Sequence, residues 1–593
     1  PETLLLAEAF WLLEGYFVRT LGMHRVYNSA FMHMLMGEEN AKYRALIKNT
    51  LAFNPEILKR YVNFMSNPDE ETAVAQFGRD DKYFGVAVMM LTLPGLPMIA
   101  HGQIEGFKEK YGMEYKRAYY DETPDEDLVR RHERELFPLM QNRRLFSHVE
   151  HFELYDLVDA GGSVNENVFA YSNMDEGDRA LICYHNKYEE SAGWIRTGVP
   201  KVESSGNEGS KKLVTKNLAE GLALEAGEGV FYLFKDRKSG LEYIRSGREL
   251  RDRGMFVRLG AFQYQVFMDF RKVDDREGEY AGLAAGLDGR GIPDVESALT
   301  DLRLRPVREA FARLMGETSV EWLRALCSGQ GSVSGEAPGG EEELTSGYAN
   351  VLETVVRFLR EGRDEARAVA ELGECLKRLK AIAPGSPPAG AGAKRAGKTA
   401  ATQKDFMPLR LIETPEDLAL LLAWLATGRM GRLVSRTGVP LQSASLFDRL
   451  RLDEVIRPVL GEGVRPSVDG GPSVDRLRLL IRFQDTFAHA AESETLHAVA
   501  ELLDDGAVQR DLRTNLYKGV QYYNRESFES LMDWLYLVGM LTESPAGTGT
   551  EPRGAYPYLL KVKSMSDRSG YRVEELKSLL SVPDRTIKEE PVR

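Results

Sequence analysis

Two acidic residues stand where short apolar runs end. Glu8 follows Leu4-Leu5-Leu6-Ala7, and Asp69 lies just past Tyr61-Val62-Asn63-Phe64-Met65. If both runs are parallel strands of a barrel, their carboxyl ends form one face, and the two carboxylates converge there on one pocket, as an acid/base or electrostatic pair. The plainer reading is a solvated acid at each strand end. Gln103 and Glu105, past a further apolar run, either line that face or hold its closing loop. Gly392-Ala393-Lys394-Arg395-Ala396-Gly397-Lys398-Thr399 matches the phosphate-loop pattern at every required position. Its context fails, because Pro384-Gly385-Ser386-Pro387-Pro388 precedes it in place of a strand and Gln403-Lys404-Asp405 follows in place of a helix. The segment therefore reads as a basic linker. His148 and His151 flank Val149-Glu150 with no third ligand nearby, so they read as a polar junction, and neither a metal nor a cofactor is expected.

The elements that must position these residues change character along the chain. Over residues 1 to 148, strand-like runs at Thr3–Ala7, Met23–Tyr27, Tyr61–Met65 and Pro97–Ala100 alternate with helical patterns at Trp11–Leu21, Ala30–Leu35, Glu39–Leu51 and Tyr83–Leu91. That is a parallel-sheet rhythm, and periodicity alone leaves an open doubly wound sheet and part of a closed barrel equally available. From 149 to 275 the period becomes two, as in Phe262, Tyr264, Val266 and Met268 against Gln263, Gln265 and Asp269, which predicts an antiparallel β-sandwich. Beyond 276 helical spacing dominates. Thr414-Pro415-Glu416-Asp417 and Asn524 are helix starts, and the aromatic stretch from Asn515 to Trp534 reads as helical core in preference to a carbohydrate-binding surface. The glycine, proline and basic segment 386 to 404 is the expected boundary between helical regions 276–385 and 405–593.

Composition bounds what such a chain does. The 593 residues are 43% hydrophobic and carry 77 Lys and Arg against 90 Asp and Glu, a net charge of −13 that argues against nucleic-acid or anionic-membrane partners. Cys183, Cys327 and Cys375 lie too far apart in sequence for a zinc knuckle or a disulfide framework. The longest apolar run, Phe84 to Ala100, contains Pro94, Gly95 and Pro97, and it reads as buried core and not as a membrane span. The chain opens on Pro1, so the expectation is a piece of something longer.

Four motifs carry a resemblance. LLLAEAFW at Leu4 to Trp11 resembles the fifth-strand motif of the α-amylase superfamily, glycoside hydrolase family 13, and GMHRVYN at Gly22 to Asn28 is similar to the sixth. NFMSNPDE at Asn63 to Glu70 resembles the seventh, and LPGLPMIAHGQIEG at Leu93 to Gly106 the eighth. The resemblance spans residues 1 to about 275 and implies strands 5 to 8 of a (β/α)8 barrel, the β-sandwich that follows it in the family, and then an all-α C-terminal region. It implies that Glu8 is the general acid/base and Asp69 the transition-state stabiliser of a retaining enzyme acting on an α-glucan or maltooligosaccharide. Trp11, Tyr27, Asn28, His33, Asn67 and Gln103 are the substrate contacts it suggests, with core aromatics on barrel helices the equal alternative for Trp11 and His33, and the flanking Phe10 and Trp11 should raise the pKa of Glu8. Breaking a glycosidic bond needs such an acid together with a carboxylate that attacks or stabilises an oxocarbenium-like centre.

The sequence departs from the family in two places. The family's nucleophile is an aspartate after the fourth strand, so it and the N-terminal half of the barrel are expected upstream of Pro1, and the fragment alone should be inactive. The family's Asn-His-Asp is Asn67-Pro68-Asp69 here, without the histidine that contacts sugar hydroxyls. A proline at this place occurs in the superfamily's maltosyltransferase branch, which keeps glycosyl transfer open beside hydrolysis. The other class of reading is a catalytically inactive, amylase-like glucan-binding or assembly scaffold.

Overall fold

The alternating runs of the first hundred residues become four short strands: β1 (Leu6–Ala7), β2 (Arg25–Tyr27), β3 (Tyr61–Phe64) and β4 (Leu96–Met98). They pair in parallel in the order β1-β2-β3-β4. Doubly wound sheets reverse their strand order at a switch point, whereas barrel strands follow one another in sequence. The observed order therefore selects the barrel type of winding. Helices α1 (Glu14–Arg19), α2 (Ser29–Met36), α3 (Asn40–Phe53), α4 (Ala73–Phe77) and α5 (Asp81–Thr92) lie between and around these strands, and α6 (Glu126–Glu135) follows them. The computed structural model describes residues 3–8, 14–110, 116–204, 211–328, 340–360, 364–383, 408–462, 471–488, 491–542 and 555–581. Its contacts divide the chain into two units, Pro1–Leu302 and Arg303–Arg593.

Register assigns the two faces of the parallel sheet, because paired residues of parallel strands point the same way and neighbours along a strand alternate. Ala7, Val26, Tyr61 and Asn63 share one face, and all are buried. Tyr27, Val62, Phe64, Leu96 and Met98 share the other, together with Leu6. On that face Leu6 and Leu96, from the two outer strands, are 43% and 44% exposed, and Leu4 and Leu5 beside them are exposed as well. Parallel sheets are ordinarily covered on both faces. This face has the character of a barrel interior bounded by four strands. The apolar run from Phe84 onward is α5, buried from Tyr83 to Thr92, followed by the loop into β4. Among the described residues no helix is long and apolar enough to cross a membrane.

Residues 153 to 274 form a curled antiparallel sheet, packed on the half barrel. Strands β5 (Glu153–Val158), β6 (Val168–Asp175), β7 (Asp178–His185), β8 (Ser191–Gly198), β11 (Val230–Asp236), β12 (Glu242–Ser246), β13 (Met255–Leu259) and β14 (Tyr264–Asp274) make one eight-stranded sheet ordered β12-β11-β14-β7-β6-β5-β8-β13. The hairpin β9 (Lys201–Ser204) and β10 (Lys211–Val214) stands apart from it. The run β8-β5-β6-β7 is a Greek key. The expected sandwich of two sheets is corrected to one continuous sheet. Its strands coil far enough that Val257 and Leu259 of β13 share a core with Tyr232 and Phe234 of β11. Period-two alternation reports one buried face per strand and cannot say whether the opposing layer is a second sheet or the far end of the same one.

The other face of this sheet, including Phe169, Tyr171, Ile182, Tyr184 and Tyr264, joins the core built by α2, α3 and α5. At the closest approach a Cβ added to Gly85 of α5 would lie 2.1 Å from the Tyr184 ring, so only glycine admits the helix. Arg44 of α3, fully buried, pairs with Asp156 and with Glu166 at 2.6 Å, and it donates to the Val168 carbonyl at 2.6 Å.

The second unit is helical. Thr414 caps the helix Pro415–Thr427 through a reciprocal box with Asp417, as the sequence motif predicts, and Asn524 Oδ1 accepts from Ser527 N–H at 2.8 Å to open Arg525–Thr542. One core runs from Leu304 through Leu379 and on from Leu409 to Leu580. Helices on both sides of the segment 386–404 thus bury their apolar stripes against one another. Residues 386–404, with the phosphate-loop pattern, lie outside the described residues. The stretch expected as helical core begins instead with the hairpin β15 (Asn515–Tyr517) and β16 (Val520–Tyr522), where Leu516 and Tyr517 are exposed. Tyr523, Phe528 and Trp534 are buried as expected.

Candidate functional site

The carboxyl ends of β1 to β4 bring the sequence candidates to one edge of the sheet. Glu8 directly follows β1 and is exposed. Asp69 follows β3 by five residues, after buried Met65 and Ser66, and is exposed too. With β2 between them and strands spaced ~4.8 Å apart, the ends of β1 and β3 stand about 10 Å from each other.

The loop carrying Asp69 is built to hold one shape. Asn67 Oδ1 accepts from the Asp69 and Glu70 amides, each at 2.9 Å, a side-chain turn that proline at 68 leaves undisturbed because it demands no donor there. Lys110 Nζ donates to the Asp69 carbonyl at 2.7 Å, and Ser66 Oγ to the Glu71 carbonyl at 2.8 Å. His33 Nε2 of α2 lies 3.4 Å from Glu70 Oε1, bracing the loop from the side. Asn67 is thus a turn-former, and its side-chain oxygen is committed to the backbone. Lys110 and Glu70 were not candidates from sequence. An acid adjacent to Asp69 was the only signal for Glu70, and nothing local marks Lys110.

The remaining candidates separate by burial. Tyr27, partly exposed, stands on the interior face with its ring edge-on to Phe64 at 5.7 Å, in position to meet a ligand. Asn28, expected as a substrate contact, is buried. Its Oδ1 caps α2 by accepting from Phe31 N–H, and its Nδ2 donates to Asn63 Oδ1 at 2.8 Å. Gln103 is buried as well, with Oε1 accepting from Ala100 N–H at 3.1 Å. In both, the side-chain oxygen meets a backbone amide that a helix start or loop leaves without a partner of its own. Trp11 lies outside the described residues.

Behind this edge, Tyr83 Oη sits 2.9 Å from the Gln103 carbonyl and 3.1 Å from His132 Nε2, while His132 Nδ1 lies 2.8 Å from the Leu128 carbonyl. Burial pushes the His132 imidazole below its ordinary pKa, keeping it neutral. Next to it, Arg131 stacks on Phe84 at 3.9 Å and pairs with Asp81 and Glu135. Burial works to raise the Glu135 carboxyl, but hydrogen bonds from Tyr264, Arg134 and Arg131 outweigh it and hold Glu135 below the usual carboxylate range. Lys238 adds a 2.9 Å pair to Asp81. This network ties α5 and α6 to the antiparallel sheet and supports the loop after β4. His148 Nδ1 lies 3.8 Å from Glu150, both half-exposed.

No family model and no curated protein matches the sequence. Among solved structures, the chain is similar to an Anoxybacillus α-amylase at 12% identity and a TM-score of 0.30, over 45% of this chain and 52% of that one. It is similar to a debranching enzyme of Nostoc punctiforme at 13% identity and a TM-score of 0.29, over 45% and 51%. It is also similar to CldA, a cyclomaltodextrin glucanotransferase, at 16% identity and a TM-score of 0.29, over 46% and 51%. The chain spans about half the length of each of these structures.

Proposed function

We propose that the first unit is the C-terminal half of a (β/α)8 barrel that acts on α-glucans with retention, by hydrolysis or glycosyl transfer. The observation that carries this reading is the placement of Glu8 and Asp69 at the carboxyl ends of alternate strands in a sequentially ordered parallel sheet. In this reading Glu8 protonates the leaving glycosidic oxygen and then, as a base, activates water or an acceptor hydroxyl. Asp69 stabilises the oxocarbenium-like centre, held in place by the Asn67 turn and Lys110. Tyr27 contributes a ring face to the sugar. The nucleophilic carboxylate comes from a barrel half that residues 1 to 593 do not contain, and the exposure of Leu6 and Leu96 on the two outer strands supports that partner.

The test is to express the reading frame extended upstream of Pro1 and assay maltooligosaccharide turnover. Glu8→Gln and Asp69→Asn should each lower turnover at least a hundredfold, while residues 1 to 593 alone should be inactive. Unimpaired turnover by Glu8→Gln would sink the assignment. Absence of any upstream carboxylate at a fourth strand end would favour a non-catalytic glucan-binding scaffold instead.

A further inference from the structure

Two guanidinium groups in the helical unit, Arg378 and Arg429, form no ion pair within 4.0 Å among the described residues, although Arg378 lies near enough to Glu374 to help hold that carboxyl below its ordinary pKa. Arg429, just past the helix Pro415–Thr427, is 5% exposed, and Arg378 on the helix Glu365–Ile382 is half-buried. Both donate to the Leu541 carbonyl in the last turn of Arg525–Thr542, from 3.5 Å and 3.0 Å, and the Cys375 thiol donates to the same oxygen at 3.0 Å. That acceptor is saturated, since a carbonyl oxygen has two lone pairs. Neither arginine has a carboxylate within 4.0 Å among the described residues. Three acids, Glu371, Glu374 and Asp485, line the same cavity as both arginines, and of these Glu371 is held by Arg367 and Arg432 at 3.2 Å and 3.0 Å and Glu374 by Lys377 at 2.7 Å. Arg429 lies over the Trp424 ring at 5.0 Å, which offsets only part of the cost of burying a charge.

The same place holds unfilled hydrogen-bonding valences. Arg429 Nη1 is a buried donor without an acceptor, and Gln484 Oε1 a buried acceptor without a donor, although Gln484 Nε2 donates to the Gly428 carbonyl at 2.9 Å. Arg378, Arg429 and Gln484 line one cavity of about 210 Å³. An anion that completes it accepts from the guanidinium N–H groups and donates one hydrogen bond to Gln484, whereas water fills the same valences but leaves the guanidinium charges uncompensated. A carboxylate accepts only. A phosphate with one protonated oxygen does both, and guanidinium groups match its oxygens in pairs.

We propose that the cavity lined by Arg378, Arg429 and Gln484 binds a phosphate group that keeps one protonated oxygen, either inorganic hydrogen phosphate or the singly protonated end of a phosphomonoester. The inference concerns the helical unit and stands apart from the glucan reading. Its test is a titration of the phosphate-free chain with inorganic phosphate and, separately, with glycerol 3-phosphate, at ionic strength held constant with chloride. The readouts are the unfolding midpoint and ³¹P line broadening. A saturable rise in the midpoint of several degrees is expected with at least one probe, and it should be at least tenfold weaker in both Arg429→Lys and Arg378→Gln. Tighter binding of glycerol 3-phosphate identifies an ester, and tighter binding of phosphate the free ion. Arg378→Gln alters a half-exposed helix position and serves if Arg429→Lys does not fold. Equal affinity in wild type and Arg378→Gln, or no saturable effect beyond chloride, would mean that water fills the cavity and would overturn the proposal.

Discussion

Replacing Arg44 with methionine keeps the aliphatic stem in place and removes the guanidinium that joins α3 to the β5–β6 region. Removing one member of a fully buried ion pair costs ~3–5 kcal/mol. Here the partners are not fully buried, since Asp156 and Glu166 side chains are 28% and 41% exposed, and Lys48 remains 2.9 Å from Asp156. The stranded-charge penalty is therefore mostly screened. What remains is the loss of charge-assisted bonds to the two acids and of the donors to the Val168 and Tyr155 carbonyls, about 3 kcal/mol in total at typical net values per bond. A unit of 302 residues unfolds with an entropy of about 0.6 kcal/mol/K, so the midpoint should fall by about 5 °C. Calorimetry of the first unit's transition measures the shift, and hydrogen exchange of peptides from α3, β5 and β6 localises it. Glu166→Gln, at the exposed end, should cost less than about 1 kcal/mol. A midpoint change below about 1 °C in Arg44→Met would refute the claim that this residue clamps the half barrel to the antiparallel sheet.

Other outcomes follow from single sites. Asn67→Ala should free the Asp69 and Glu70 amides, accelerating their exchange and costing about 1–2 kcal/mol, whereas Asn67→Asp keeps the acceptor and should cost little. His132 binds its proton less readily folded than unfolded, so between its lowered folded pKa and the unfolded value near 6.5 the unfolded state holds more protons. Stability of the first unit should consequently fall as pH drops below about 6.5, before carboxylates titrate, and urea melts of His132→Gln should lose that slope. Thr414→Ala should remove one arm of the capping box and cost about 1 kcal/mol, measured as a lower midpoint of the helical unit.

Several features were legible because they are local. The Thr414-Pro415-Glu416-Asp417 start, the Asn524 cap and the four apolar runs with their intervening helices all depend on neighbours within a few residues. Glu8 and Asp69 were placed at strand ends by the same reasoning, and the structure keeps them there. The hydrogen-bond partners of Asn28 and Gln103 were not legible, for the complementary reason. Whether a side-chain amide meets a ligand or a backbone group depends on Asn63, 35 residues from Asn28, and on the loop geometry that points Ala100 N–H at Gln103.

Sequence by itself determined the element types, the acids available at the strand ends and the change from parallel to antiparallel to helical architecture, since hydrophobic period and capping are written in short windows. Tertiary structure decided strand order, and with it barrel winding over a doubly wound sheet. It also joined eight antiparallel strands into one coiled sheet and merged helices on both sides of 386–404 into one core. Those outcomes rest on which buried faces meet across long separations. Periodicity specifies that a face must be covered, and packing alone selects what covers it.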